Sequence, residues 1–564
     1  MTPVQQPAPA RAASLNRETL ITVAFAAVLL LIAVAQVIVY RQWINADSIS
    51  YMDMGDGIPA GDFGRVINPY WSPLYPALLG LANAIFRPGP EWEFPAAHLV
   101  NLFCFLFAAA AFEYLLRSIW TILASRSETS EILPRWAFLT IGYSFFLYAS
   151  LGMVALLRTT PDMLMSGCLY LAAAFLVRIT GGYAGTKDFA FLGIALALGY
   201  MTKAIMFPLG LFVLAMTFLL AGGTMRLRIK RTVAAALGFA ILAVPLVAAV
   251  SRSAHRPTFS EAGTLNYMFF VDRLDWYYQN RTAVSGQAIH PVAKIAQEPL
   301  AYSFPSPHNA TYSLWFTPYY WSEGLRPTIQ IRTQARILFE GLRGYARTLL
   351  QLTGATLAIL LIFAFAGPRN ALAHLRPLLP VIVMSVALMA AYLLATPKIE
   401  DRYIGAPISI IGFTLLCSLL LGARLSRTAL TLTVAVIAVS LFARTGINML
   451  RDFRDNENKT QRSEVDAALA LKAAGFAPGT HMAEISPWIS PGWARLSRQI
   501  IVADVPREQA EKFWDLAPER QTSLLHAFAS TDSDAVVAWL GGRKDVPAGW
   551  QRLGSTPYAL HRLR

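Results

Sequence analysis

Long apolar runs separated by short polar connections fill most of this chain. A helix that crosses a bilayer needs about 20 mainly apolar residues, within a range of roughly 17 to 25. On that measure the pattern predicts about eleven transmembrane helices. They run approximately Thr19–Tyr40, Phe94–Leu116, Trp136–Leu157, Met163–Val177, Phe189–Met201, Ile205–Leu220, Val233–Val250, Thr348–Phe365, Leu378–Leu394, Ile404–Leu421 and Ala429–Phe442. Phe189–Leu220 reads either as one long tilted helix or as two short ones broken at Lys203. Trp71–Phe86, "WSPLYPALLGLANAIF", is apolar but short and interrupted by proline, which predicts a juxtamembrane helix lying in the interface.

From about Arg451 the pattern becomes that of a soluble domain. "SEVDAALALKAAG" has helical spacing with a Ser cap and a Gly stop. "THMAEI", "QIIVADV" and "DAVVAWL" read as short strands, with "REQAEKFWDL" and "ERQTSLLHAFAS" as helices between them. The expected fold is therefore a polytopic α-helical membrane protein carrying a small C-terminal α/β domain. Its parts are a tail over 1–18, a transmembrane domain over 19–450 with large loops at 41–93 and 251–347, and a soluble domain over 451–564.

Composition agrees: of 564 residues, 55% are hydrophobic and 15% charged, against about 25% charged in a soluble domain. The formal charge is +14, but many Arg and Lys flank apolar runs, so membrane topology explains them better than nucleic-acid binding. Alternate short connections carry Arg11/Arg17, Arg117/Arg126/Arg135, Arg178/Lys187, Arg226/Arg228/Lys230/Arg231, Arg369/Arg376 and Arg424/Arg427. Cationic loops favour the cytoplasm, so the N-terminus is expected inside, and the loops 41–93 and 251–347 and the C-terminal domain outside. The alternation holds only if Lys203 is a true break between two helices. The first apolar run is too long for a signal-peptide core and reads as a retained helix. Cys104, Cys168 and Cys417 lie far apart in apolar runs and form no disulfide or CxxC pattern.

A few polar residues stand out against this background. Asp47 opens "DSISY" just after the first helix, with Tyr51 four residues on and on the same helical face. Asp53, Asp56 and Asp62 follow in a Gly-rich stretch and read as solvated turn formers. Asp162, in "LLRTTPDMLMSG", lies in a first helical turn, where the dipole favours an acid. Lys203, in "LGYMTKAIMF", sits between two apolar runs, where a lysine is expensive unless it snorkels or functions. "PKIEDRYIGAP" places Lys398, Arg402 and Tyr403 at a helix end, and an Arg there can fork onto phosphate oxygens. Each residue alone has a bland account: solvation, capping or interface anchoring. Their shared membrane face is more telling, because it assembles acids and cations suited to a phosphate at a water–lipid boundary. The loop 251–347 is rich in aromatics, including Tyr319, Tyr320 and Trp321, which could stack on a bound ligand or sit in the headgroup belt.

The ordered set "ADSISYMDMGDG", "NPYWSPLYPALLGL", "RTTPDMLMSG", "LGYMTKAIMFPLGL" and "KIEDRYIGAP" resembles the GT-C superfamily of membrane glycosyltransferases. More narrowly it resembles bacterial relatives of protein O-mannosyltransferases and lipid A aminoarabinose transferases. That resemblance implies a multi-pass protein of the bacterial inner membrane. It implies transfer of a sugar from a polyprenyl-monophosphate donor to a lipid, glycan or protein acceptor on the outer face. It also implies an essential acid at Asp47, a second at Asp162, and phosphate contacts from Lys203 and Arg402. Ser48 stands where many relatives have Glu, and "NPYWSPLYP" replaces the Glu-Lys pair of aminoarabinose transferases, which weakens both a metal at this site and lipid A as the acceptor. A divalent cation is left open. The competing classes are a lipid-sugar transporter, for which related repeats would be expected, and a non-catalytic envelope assembly protein.

Overall fold

The computed structural model describes residues 16–125, 132–278, 283–366, 368–395, 399–456, 462–487 and 491–564. Every predicted apolar run contains a helix. Among the described residues, eight helices are long and apolar enough to cross a membrane: Arg17–Val39, Pro90–Ala124, Arg135–Val154, Asp162–Thr180, Met225–Ser253, Leu372–Leu394, Asp401–Ala423 and Arg427–Asp455. The other three expected spans are shorter, at 17, 15 and 14 residues: Thr186–Thr202, Met206–Leu220 and Thr353–Ala366. The first two are separate because the chain becomes extended at Lys203, which caps the end of Thr186–Thr202. The third starts after an interruption at Leu352.

The third spanning helix ends in a π-helical turn, Tyr148–Val154, and the chain leaves it at Ala155 with φ 57°. Buried polar groups of neighbouring helices hold the extended segment beyond it. Gln36 donates to the Leu151 carbonyl at 2.8 Å and accepts from the Leu156 amide at 2.8 Å. His98 lies between the carbonyls of Trp43, 2.8 Å from Nε2, and Leu156, 3.1 Å from Nδ1. Asn101 donates to the Arg158 carbonyl at 2.6 Å and accepts from the Tyr75 hydroxyl at 2.7 Å. Unpaired, such groups would cost several kcal/mol each inside a bilayer. Here they fix the course of the chain into Asp162.

Between the first two spans, Asn45 caps a helix over Ala46–Gly55 by accepting from the Ser48 amide at 2.9 Å. That helix packs on Leu74–Phe86, the expected juxtamembrane helix. The two backbones meet at Gly55 and Gly80, where a Cβ on Gly80 would lie 2.1 Å from the Gly55 carbonyl oxygen. Only glycine permits this approach.

The α/β part is larger than the segment 451–564. Its strands are β2 (Ala293–Gln297), β3 (Leu300–Ser303), β5 (His481–Ile485), β6 (Ile500–Asp504), β7 (Ala535–Trp539), β8 (Gln551–Arg552) and β9 (Tyr558–Arg562), in the order β2-β3-β6-β5-β7-β9-β8. The predicted strands form the parallel centre β6-β5-β7. The long loop supplies β2 and β3, which extend the sheet in antiparallel fashion through Tyr302 opposite Asp504. A separate ribbon pairs β1 (Ser285–Gly286) with β4 (Leu325–Arg326). "REQAEKFWDL" is not one helix but a short turn, Arg507–Ala510, followed by a 3-10 turn at Phe513–Asp515. The transmembrane domain also overruns residue 450, because its last helix continues to Asn456. The loop further contributes Ile331–Gln351, whose exposed Ile331, Phe339, Leu342 and Leu350 lie among Arg332, Arg336, Arg343 and Arg347, as in a helix resting on a membrane surface.

A buried ionic cluster joins this domain to the bundle. Arg495 donates to Asp53 at 2.7 Å, to Asp56 at 2.6 and 2.9 Å, and to Glu93 at 2.8 and 2.5 Å. Arg498 adds contacts to Asp56 at 3.2 Å and to Glu93 at 3.0 Å. Asp53 also accepts from the amide and hydroxyl of Thr311. Asp53 and Asp56 are therefore not solvated turn formers, as the sequence suggested. They anchor the domain, while Asp62 merely caps Phe63–Val66. Burial alone would raise the Asp56 pKa, but Arg495 and Arg498 hold it below its ordinary value.

Candidate active site

Asp162 is completely buried at the start of its helix, at the end of the bundle covered by the α/β domain. A carboxylate excluded from water persists only when paired and hydrogen-bonded. Lys203 Nζ lies 2.6 Å from Oδ1, while Arg402 Nη1 at 3.3 Å and the Thr160 hydroxyl at 2.8 Å serve Oδ2. One acid thus holds both candidate phosphate ligands together. They come from two chain segments, the break at Lys203 and the helix Asp401–Ala423.

Arg402 spreads its guanidinium over several groups. Nε donates to Glu400 at 2.7 Å, Nη2 to the Tyr403 hydroxyl at 3.3 Å, and Nη2 lies 3.7 Å from Asp47 Oδ2. Glu400 also faces Arg158 at 3.9 Å. Tyr403 stacks on Tyr392 with centroids 4.9 Å apart, and the Lys203 ammonium sits 4.0 Å above the Tyr403 ring. That packing orients the ammonium beyond what its ion pair achieves.

Asp47 lies in the first turn of Ala46–Gly55 and is partly exposed, with 23% of its side chain accessible. Its Oδ1 accepts from the Trp315 indole at 3.0 Å. The next residue, Ser48, donates to the Thr159 carbonyl at 3.0 Å, tying the first loop to the segment that delivers Asp162. Segments 111 positions apart thus share one small volume because neighbouring polar contacts leave them little freedom.

The predicted residues divide clearly. Asp47, Asp162, Lys203, Arg402 and Tyr403 converge. Tyr51 shares the Asp47 helix but is buried edge-on against Trp71 at 5.0 Å and Tyr75 at 5.5 Å. Lys398 lies outside the described residues. Tyr319, Tyr320 and Trp321 have other partners: Tyr319 donates to the Ala254 carbonyl at 2.8 Å, Tyr320 stacks on His290 at 3.8 Å, and Trp321 donates to the Ser313 carbonyl at 3.0 Å. The aromatic that reaches the acid is instead Trp315, in the same loop. It packs against Trp71, Trp276 and Tyr277 at centroid distances of 5.6, 5.6 and 5.5 Å. Burial raises the Tyr277 pKa, with the Asp47 charge a smaller contributor in the same direction. The sequence does not single out Glu400, within "KIEDRY", or Trp315, within "YSLWFTPYYW", and nothing local separates Trp315 from the rings around it.

Among the described residues no three His, Cys, Asp or Glu side chains converge to hold a metal ion. Both Asp162 oxygens are already engaged by cations and a hydroxyl, and Asp47 faces Arg402 and Trp315.

No family model matches the chain, and no curated protein matches it. Solved structures do. The crystal structure of ArnT from Cupriavidus metallidurans in the apo state shares 13% identity, with a TM-score of 0.55, over 97% of this chain and 99% of that one. ArnT from the same organism bound to undecaprenyl phosphate shares 13% identity, with a TM-score of 0.52, over 96% and 98% of the two chains. The likeness establishes the fold over nearly the whole length, and it is the GT-C fold that the motifs implied.

Proposed function

We propose that this protein is an inverting glycosyltransferase that moves a sugar from a polyprenyl-monophosphate donor to an acceptor on the outer face of a bacterial inner membrane. The observation that carries this reading is the clustering of Asp47, Arg402, Asp162 and Lys203. A solved structure of the same fold, ArnT, binds undecaprenyl phosphate and supports a lipid-phosphate donor.

Each group then has a role. The anomeric carbon is already activated by its phosphate, so no nucleotide is required. Lys203 and Arg402 bind the donor phosphate and stabilise the charge that grows as polyprenyl phosphate departs. Asp162 touches neither reacting centre; it is a positioning residue that holds both cations at one place. Asp47 accepts the proton of the acceptor hydroxyl, and the Trp315 indole orients its carboxylate. The acceptor oxygen attacks as the C–O bond to phosphate breaks, inverting the anomeric configuration in one displacement.

The test is incubation of purified protein with a panel of polyprenyl-phosphate sugars and acceptors, read by mass spectrometry of lipid and glycan products. Acceptor-dependent release of polyprenyl phosphate is expected, and EDTA is expected to leave it intact. Failure to release polyprenyl phosphate from every donor, where an ArnT control is active, overturns the proposal.

A further inference from the structure

Beside the donor cluster, but not part of it, is a cavity of 1170 Å3 between the first outer loop and the α/β domain. Small-molecule sites usually occupy roughly 300–1,000 Å3, so an oligosaccharide fits here. One wall is Trp43, Asn45, Ala46 and Tyr277; it ends at the residue before Asp47, and Tyr277 packs on Trp315, the indole that binds Asp47. The opposite wall belongs to the α/β domain. Asp162, Lys203 and Arg402 do not line it.

The charges around this cavity are arranged unequally. Four cations line the cavity, Arg507, Arg543, Lys544 and Arg552, against two acids, Asp455 and Glu464. Glu464 is committed to the Trp493 amide at 2.7 Å and the Tyr558 hydroxyl at 2.5 Å. Arg552 donates to the carbonyls of Arg543 and Lys544 at 2.8 Å each and of Thr556 at 3.0 Å, so its guanidinium fastens the loop that presents Lys544. Arg543 pairs with Asp515. Arg507 and Lys544 are the exposed cations left facing the space, and the Arg507 guanidinium lies 5.6 Å over the Tyr277 ring. Trp539 and Tyr558 supply further aromatic faces. Aromatic faces with cations between them recognise a sugar bearing negative charge.

We infer that this cavity binds the anionic saccharide portion of the acceptor, with Arg507 and Lys544 contacting its carboxylate or phosphate groups and delivering a hydroxyl toward Asp47. The inference rests on the transferase reading for its direction, but the site itself can be tested alone. Its chemistry suits a water-borne acidic glycan or the headgroup of a phosphoglycolipid.

The experiment measures binding to the purified full-length protein in detergent by thermophoresis. The probes are tetragalacturonate, neutral maltotetraose, lipid A and undecaprenyl phosphate. Tetragalacturonate is expected to bind at least about tenfold more tightly than maltotetraose, and added salt should weaken it. Arg507→Ala and Lys544→Ala should each weaken tetragalacturonate by about tenfold, the worth of one charge-assisted hydrogen bond. Undecaprenyl phosphate should be unaffected by both changes and weakened by Lys203→Ala. Lipid A competing with tetragalacturonate assigns the site to a membrane headgroup; failure to compete assigns it to a soluble glycan. Equal binding of the neutral and acidic oligosaccharides, or tetragalacturonate binding that is absent or indifferent to both substitutions, overturns the inference. Loss of undecaprenyl phosphate binding in the unaltered protein, with tetragalacturonate still bound, would reject the donor assignment and leave the anionic site standing.

Discussion

Asp47→Asn separates catalysis from folding more cleanly than any other change at the site. The amide keeps the size of the carboxylate, and its oxygen can still accept from the Trp315 indole. The negative charge and the basicity are lost. The pair with Arg402 is long, at 3.7 Å, and 23% of the Asp47 side chain is accessible to solvent. A pair of this kind contributes at most about 1 kcal/mol, and loss of the charge from the first helical turn costs about 0.3–1 kcal/mol. Arg402 retains Glu400 and Asp162, so the fold should survive. A positioned general base typically accounts for about 10²- to 10⁴-fold in rate. The variant should therefore express normally and unfold within a few degrees of the parent in detergent, while turnover falls by about 10²-fold or more. Undecaprenyl phosphate binding should be nearly unchanged, since Lys203 and Arg402 remain. The assay is initial release of polyprenyl phosphate under donor saturation, with binding measured on the same preparation. Retention of about a third or more of the parental kcat would refute the assignment of Asp47 as the base, and equal losses of kcat and of donor affinity would move its role to donor binding.

Other perturbations test separate parts of the structure. Arg402→Lys keeps the charge but cannot reach Glu400, Asp162, Tyr403 and Asp47 together, so kcat should drop by about 10²- to 10³-fold, measured as polyprenyl phosphate release. Arg495→Met leaves buried Asp53 and Glu93 with a weaker partner set and should destabilise the docked domain by about 3–5 kcal/mol, read from thermal unfolding. In the α/β domain, burial raises the Asp504 pKa from 3.8 to about 7, partly offset by hydrogen bonds from Tyr312 and Tyr278. The folded state therefore binds this proton more tightly than the unfolded chain does. Its stabilising contribution is complete below about pH 4 and declines as pH rises to about 7, above which it is gone. Asp504→Asn should flatten the stability of the domain across that window in denaturant titrations at fixed pH values.

The sequence alone determined the membrane architecture, because hydrocarbon admits few alternatives. A run of about 20 apolar residues in lipid has to satisfy its own backbone, and a helix does so. For the same reason Lys203 stands out as a candidate: a charge between apolar runs is conspicuous in one dimension. The central strands of the α/β domain were visible too, in their short β-branched runs.

What the tertiary structure decided lies in water-facing segments, where polar and aromatic residues are ordinary and carry no local warning. Asp53 and Asp56 look like turn formers until Arg495, more than four hundred positions later, is seen to pair with both. Strands β2 and β3 belong to the C-terminal sheet through the pairing of β3 with β6, which no run of residues announces. Trp315 and Trp321 are equivalent in composition, yet the turn between them sends one indole to Asp47 and the other to a backbone carbonyl. Local sequence fixes which groups are costly to place in lipid. Which distant groups then meet depends on packing and register, and those are settled only when the whole chain folds.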